Sequence, residues 1–166
     1  NSVTNIEGCA FSNCSKLSSV IIPNSVSSIF DRAFEYCSSL TSITIPNSVT
    51  EINNEVFQGC SSLASVNLPN STTRIGSWSF QGCTNLTCIT IPSSPKMIGM
   101  EAFKGCKNLE NVYCYAFLTP AIGSDIFKDC YVEYSSLYVL DESLNQYRNT
   151  EPWSNFGSIK GMSERP

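Results

Sequence analysis

Histidine is absent from this chain of 166 residues, and charged residues of both signs are scarce. Without an imidazole, the commonest general base and the commonest metal ligand are both missing. Charged residues make up 14% of the sequence and the formal net charge is −4, so no basic surface is available to attract phosphates or anionic lipids. These absences argue against a zinc site, against Ser-His or Cys-His catalysis and against binding to nucleic acid.

Long apolar runs and phosphate-binding glycine motifs are missing as well. No stretch approaches the ~18 apolar residues of a membrane-spanning helix, and neither G-x-G-x-x-G nor a P-loop occurs. Two carboxylate pairs, Asp31 with Glu35 and Glu51 with Glu55, could serve as acid and base on a sugar, but a solvated surface explains them more simply. We therefore predict a protein that is not an enzyme, has no membrane span in this chain and needs no metal or cofactor.

What the chain does contain is one pattern that recurs at a constant interval. A unit this short cannot bury its own apolar face, so such units stack into a solenoid. The pattern can be written I-x4-F-x2-C-x2-L-x2-[IV]-x-[IL]-P-N-S. Its most regular positions are Phe11, Phe34, Phe57, Phe80 and Phe103, and Cys14, Cys37, Cys60, Cys83 and Cys106.

Within each unit, one segment alternates as a β-strand should. Ile43 and Ile45 are flanked by polar Ser42 and Thr44, so that apolar and polar side chains take turns along the segment. Pro46 then ends the strand because it has no N–H to donate. We expect one short strand per coil, paired in parallel with the strands of neighbouring coils. The segment from Ile29 to Leu40 predicts short helical or 3₁₀ turns on the opposite side.

Nine cysteines would ordinarily suggest a disulfide framework. Six of them occupy one equivalent position per unit once Cys130 is included, and side chains at equivalent positions point in parallel rather than toward each other. We therefore predict that this series is reduced and that its thiols bond weakly to turn carbonyls. Cys9, Cys88 and Cys114 lie outside the series, and their redox state stays open.

The repeat changes toward its C-terminal end. Ile122 and Phe127 arrive one position later than the regular interval requires, which indicates an insertion. Thr72 and Pro95 stand where earlier units have valine, so the later turns are expected to deviate locally. The stretch from Leu137 reads as a strand, a short helix and an aromatic anchor. We predict a solenoid of about six coils over residues 1–135 and a C-terminal capping segment over residues 136–166.

The repeat unit resembles the BspA-like leucine-rich repeats, the fifth class of leucine-rich repeat, tightly over residues 6–112. Ala10-Phe11, Ala33-Phe34 and Ala102-Phe103 keep the small residue that this family has before phenylalanine. The resemblance implies a leucine-rich repeat solenoid of the α/β-type repeat class, right-handed, with a parallel sheet on one face. It also implies a surface or secreted protein linked to adhesion and protein binding.

A ligand of such a solenoid would meet the outward side chains of the sheet. The predicted binding residues are Ser42, Thr44, Ser65, Asn67, Cys88, Thr90, Asn111 and Tyr113. Binding hot spots favour aromatic residues, which makes Tyr113 and Tyr115, with Phe117 beside them, better candidates than the serine and threonine positions, unless they only pack against Trp153 and Phe156.

We expect a monomeric binding module at the cell surface or outside the cell. Its partner would be a host or neighbouring-cell protein or a glycan. Two alternatives stay open. One is that the outward residues are no more than a soluble strand surface, and the other is that the repeats are a structural spacer that projects another domain.

Overall fold

A computed structural model describes residues 3–166, which form a solenoid of about seven turns built from short parallel strands. The strands in chain order are β1 Asn5–Ile6, β2 Ser28–Ile29, β3 Ser42–Thr44, β4 Glu51–Ile52, β5 Ser65–Asn67, β6 Arg74–Ile75, β7 Cys88–Ile91, β8 Met97–Ile98, β9 Asn111–Cys114, β10 Ala121–Ile122, β11 Ser136–Val139 and β12 Ser158–Gly161.

The strands fall into two rows along the solenoid. The first row holds the predicted strands, as a pair β3-β5 followed by a four-stranded sheet in the order β7-β9-β11-β12. The second row, which the sequence did not predict, consists of very short strands, as a pair β1-β2 and a sheet in the order β4-β6-β8-β10. All the pairings are parallel. The solenoid fold is thus confirmed, with two strands in a coil where one was expected.

The side of the coil opposite the first row is built from turns rather than helices. Along this side, two kinds of backbone hydrogen bond alternate from residue to residue. Every second N–H donates to a carbonyl of its own coil and closes a turn, and the N–H groups between them donate to carbonyls of the next coil. In each coil, the positions two before and two after the repeat phenylalanine, from Phe11 to Phe127, have positive φ, and glycine supplies three of them, Gly59, Gly82 and Gly105. The second coil shows the bonds between coils: Arg32 N–H to Asn54 O at 3.0 Å, Phe34 N–H to Val56 O at 3.0 Å and Tyr36 N–H to Gln58 O at 2.7 Å.

A stack of phenylalanine rings runs through the core. Adjacent rings are nearly parallel, with centroids 5.1 to 5.7 Å apart from Phe11 to Phe127. Phe34, Phe57, Phe80 and Phe103 have no exposed surface, whereas Phe11 at the end of the stack is only partly buried. Each internal ring is therefore covered on both faces by its neighbours.

The predicted reduced cysteine series lies beside this stack, and its cysteines are free thiols. From Cys37 onward each thiol donates to the carbonyl oxygen of a phenylalanine in the preceding coil, as in Cys60 Sγ to Phe34 O at 3.1 Å and Cys83 Sγ to Phe57 O at 3.2 Å. The expected bond between thiol and turn carbonyl is thus confirmed. Burial raises the pKa of the Cys37 thiol to about 11 and that of Cys60 to about 12.

The stretch from residue 136 continues the first row of strands. Ala121 of β10 pairs with Met97, and Ser136 of β11 pairs with Asn111. The repeat phenylalanines from Phe11 to Phe103 lie 23 positions apart. Ala121 follows Met97 by 24 positions, and Ser136 follows Asn111 by 25. The repeat therefore contains two insertions where the sequence indicated one, and the second falls between Cys130 and β11. The proposed division at residue 135 stays a prediction, and the first row of strands runs across it.

The closing aromatic residues lie over the last coil. Trp153 and Phe156 meet the Phe127 ring edge-on, at 5.4 and 5.2 Å between centroids. Tyr147, on the helix Leu144–Arg148, donates its hydroxyl to Ala116 O at 2.9 Å. The 3₁₀ turns of this region are Val132–Tyr134, Asp141–Ser143, Trp153–Asn155 and Met162–Glu164. Among residues 3–166, no helix has the length and apolarity that a membrane crossing requires.

Candidate binding face

The outward side chains of the first row form two continuous lines across the solenoid, which together we call the sheet face. The strand register places neighbours of the same line directly opposite each other: Ser42 with Ser65, Thr44 with Asn67, Cys88 with Asn111 and Thr90 with Tyr113. The exposed residues are Ser42, Thr44, Ser65 and Asn67, and the partly buried ones are Cys88, Thr90, Asn111 and Tyr113. The structure thus brings all eight predicted residues together on one surface, and their role in binding stays a prediction.

The sheet face changes character at its C-terminal end. The Tyr113 ring stacks on Tyr138, its partner in β11, with centroids 4.9 Å apart. The Arg165 guanidinium lies 4.6 Å from the Tyr113 centroid, and the Lys160 ammonium lies 5.8 Å from that of Tyr138. Because each ring has one face against the other ring, the cations cover the outer faces. We call these four residues the tyrosine–cation stack.

A hydrogen bond fixes the guanidinium of this stack. Arg165 Nη1 donates to the Tyr115 hydroxyl at 2.5 Å, so Tyr115 contributes to the stack through its polar end. Within residues 3–166, neither Arg165 nor Lys160 forms an ion pair with a carboxylate. Both positive charges therefore remain available to an incoming acceptor, while their apolar contacts hold them in place.

Cys88 lies in the sheet face near Arg165. It is a free thiol and is partly buried. Burial raises the pKa of its thiol, and the charge of Arg165 opposes that shift. The other two cysteines outside the regular series differ from it, since Cys9 is exposed and Cys114 is buried against the Tyr147 hydroxyl at 3.2 Å.

Three members of the tyrosine–cation stack were not predicted from the sequence: Tyr138, Lys160 and Arg165. The alternation in Leu137-Tyr138-Val139 could have indicated that Tyr138 points outward, in line with Tyr113. Lys160 and Arg165 gave no signal of this kind, because Ser158–Gly161 was not recognised as a strand in the sequence and Arg165 follows it outside the repeat. The possibility that Tyr113 and Tyr115 only pack against Trp153 and Phe156 is not what the structure shows, since those rings contact Phe127.

The carboxylates that were considered as acid and base contact residues of neighbouring coils. Glu55 accepts two hydrogen bonds from Arg32, at 2.8 and 3.0 Å, and Glu51 lies 3.8 Å from Arg74. Asp31 accepts the Asn54 N–H at 2.9 Å. These contacts give the carboxylates structural roles between coils.

A protein-family model matches this chain in sequence, and solved structures match it in fold. The family model of the BspA type leucine rich repeat region matches in six copies, over residues 1–110 and 27–148. No curated protein matches the chain.

Three solved structures are similar to this chain. The leucine rich repeat protein of T. pallidum is 27% identical with a TM-score of 0.70, covering 87% of this chain and 73% of that one. The pneumococcal vaccine antigen PcpA is 17% identical with a TM-score of 0.66, covering 90% and 42%. A leucine-rich repeat protein from Bacteroides ovatus is 20% identical with a TM-score of 0.47, covering 96% and 64%. The chain therefore spans less than two thirds of two of these proteins.

The family model covers well over half of the chain, and its repeats coincide with the stacked coils described above. This chain belongs to the BspA type leucine rich repeat family.

Proposed function

We propose that the chain is a non-enzymatic binding module of a cell-surface or secreted protein, and that it holds a protein or glycan of a host or neighbouring cell on its sheet face. The observation that carries the proposal is the sheet face itself. Small uncharged side chains over β3 to β7 leave it open, and the tyrosine–cation stack ends it. A ligand can lie flat on such a surface.

The tyrosine–cation stack has the composition of a binding hot spot. Hot spots are enriched in tyrosine and arginine, and they gain from side chains that are already ordered before binding. Stacking and the bond to Tyr115 order Tyr113 and Arg165. The family relationship supports the surface location, and the ion-paired Glu51 and Glu55 support a role without catalysis.

Retention of the protein by defined surfaces tests this proposal. The purified chain is passed over a panel of immobilised extracellular-matrix proteins and a printed glycan array. We expect retention by at least one surface, weakened at least tenfold in Tyr113→Ala. Tyr36→Ala removes an exposed tyrosine from the turns opposite the sheet face and serves as the matched control.

Thermal unfolding of each variant is measured in parallel, so that loss of fold is separated from loss of contact. Retention by no surface while the solenoid remains folded would contradict the proposal and favour a spacer. Equal retention of the wild-type protein and the folded Tyr113→Ala variant would show that the contact lies elsewhere.

A further inference from the structure

Two clefts open beside each other away from the sheet face, and they share Lys107 and Tyr131. One has a volume of about 480 Å³ and is also lined by Asn108, Glu110 and Tyr134. The other, of about 360 Å³, is also lined by Thr84, Lys104 and Asp129. Volumes of this order are typical of sites for small molecules.

Two tyrosine side chains project into solvent at these clefts. Tyr134 is 86% exposed and Tyr131 is 53% exposed. They belong to the connection between Cys130 and β11, where the second insertion lies. The extra residue is accommodated in a 3₁₀ turn, Val132–Tyr134, whose valine is the buried member. The insertion thus keeps an apolar residue in the core and leaves a tyrosine on each side of it outside.

Tyr131 adopts a left-handed backbone conformation, with φ 55° and ψ 41°. Such a conformation is strained for a residue other than glycine, and strain of this kind concentrates at functional positions. In the regular turns, the left-handed residues donate their N–H groups to carbonyl oxygens of the next coil. The position of Tyr131 in the coil is not one of these left-handed positions. Its equivalents in the other coils do not have positive φ: Ser15, Ser38, Ser61, Thr84 and Lys107.

The chemistry of the lining suits a neutral polyol. The charge of Lys107 is opposed by Glu110 in one cleft and by Asp129 in the other, and Lys104 is paired with Glu101 at 2.8 Å. Neither an anion nor a cation is therefore favoured. Hydroxyl, amide, ammonium and carboxylate groups line the clefts together with two aromatic rings. A sugar offers matching groups, because its hydroxyls both donate and accept hydrogen bonds and its C–H faces are apolar.

We propose that the paired clefts around Tyr131 bind a neutral oligosaccharide. The rings of Tyr131 and Tyr134 contact the C–H faces of the sugar, and Lys107 donates to its hydroxyls from the boundary between the clefts. Two small neighbouring clefts can each hold one of two successive sugar units. A peptide helix would instead need one continuous apolar groove. This site lies outside the sheet face and does not depend on it.

Binding to a printed array of neutral and acidic oligosaccharides tests the site. The expected result is retention by neutral structures, reduced at least tenfold in Tyr134→Ala and in Tyr131→Asn, because asparagine tolerates the left-handed conformation. Lys107→Gln is expected to reduce it several-fold. Tyr36→Ala removes another exposed aromatic ring and is expected to leave retention unchanged.

The array also distinguishes this proposal from binding at the sheet face. Retention by neutral oligosaccharides that Tyr113→Ala leaves intact supports a separate site, even if no ligand of the sheet face is found. Retention by acidic structures alone, by proteins alone or by nothing overturns the proposal, as does equal retention of Tyr134→Ala and the wild-type protein.

Discussion

At the scale of single residues, the buried thiols join neighbouring coils without disulfides. Each donates to a phenylalanine carbonyl of the coil before it, at 2.9 to 3.2 Å. Burial raises the pKa of four of these thiols and so keeps them protonated and able to donate: Cys37, Cys60, Cys83 and Cys106. The hydrogen bond with Cys106 lowers the pKa of Cys130. Such cysteines behave as small apolar residues with one weak donor, which explains how the five buried members of the series can lie in neighbouring coils as free thiols.

Alkylation at pH 8 is expected to separate the cysteines into two classes. The thiolate is the reactive form, and a pKa of about 12 leaves Cys60 ionised in roughly one molecule in ten thousand at that pH. Iodoacetamide followed by mass spectrometry should label exposed Cys9 and Cys14 first, and Cys60 and Cys83 only after unfolding. Equal labelling of Cys14 and Cys60 in the folded protein would contradict the described packing.

The same shift makes stability depend on alkaline pH. A thiol whose pKa is higher in the folded than in the unfolded chain contributes stability that is complete below the unfolded value, near 8.5. That contribution is lost as the pH rises through the folded value of about 12. The free energy of unfolding should therefore fall between pH 8.5 and 11, and fall less in Cys60→Ala. An identical pH dependence in the two proteins would show that Cys60 does not contribute.

Thr72 is a buried polar residue with no partner for its hydroxyl. It replaces the valine of other coils, Val26 and Val49. The expected local deviation is absent here, since the Thr72 N–H donates to Pro69 O at 3.0 Å just as the Val49 N–H donates to Pro46 O at 3.0 Å. Threonine and valine have similar shapes, so the backbone is kept and the cost falls on the unpaired hydroxyl.

Thr72→Val should raise the free energy of unfolding by about 1–2 kcal/mol, because it removes an unsatisfied buried hydroxyl without a change of volume. Denaturant unfolding measures the change. The reciprocal variant, Val49→Thr, places the same hydroxyl in the neighbouring coil and should destabilise the protein by a similar amount. A destabilised Thr72→Val protein would mean that the hydroxyl is satisfied.

At the scale of the element, the phenylalanine stack holds the turns in place. Those turns are too short to be stable alone, and their bonds to the next coil require the coils to stay in register. Phe57 lies between two rings, at 5.7 and 5.4 Å, whereas Phe11 meets only one, at 5.1 Å.

Phe57→Ala should therefore lower the free energy of unfolding by ~3–5 kcal/mol, since the ring is fully buried and its loss leaves a cavity. Phe11→Ala, the same change at a partly buried ring with one neighbour, should cost clearly less. Urea unfolding of the two variants gives the comparison. Equal losses would show that stacking on both faces adds nothing.

The elements differ in how well the sequence predicts them. Alternation around Ile43 and the following Pro46 predicted the first row of strands, because side-chain burial and a missing donor are local properties. The second row was missed, since strands such as Glu51–Ile52 are too short to alternate. The turns were expected to be helical or 3₁₀, and the bonds within each coil do span three residues, as in Cys37 N–H to Phe34 O. Left-handed residues such as Arg32 and Trp78 follow from bonds between coils, which spacing alone does not reveal.

At the scale of the whole molecule, the solenoid presents different surfaces on different sides. The sheet face is broad and ends in cations and tyrosines, and the clefts around Tyr131 are small and balanced in charge. The sequence located the sheet face because the repeat fixes which residues point outward. It did not locate Arg165 or the Tyr131 clefts, because both arise where the repeat is interrupted and three-dimensional contacts decide the arrangement.

The central claim is that the sheet face, rather than the exposed turns beside it, holds the partner of the proposed binding module. Its most direct test compares two double variants in the same two coils. Thr44→Arg with Asn67→Arg places bulky charge on the sheet face, and Asn47→Arg with Asn70→Arg places the same charge on the exposed turns that follow. The dissociation constant is measured against an immobilised matrix protein or glycan that retains the wild-type chain and whose retention Tyr113→Ala weakens. We predict a rise of at least tenfold for the first variant and less than twofold for the second, and equal effects of the two would contradict the account.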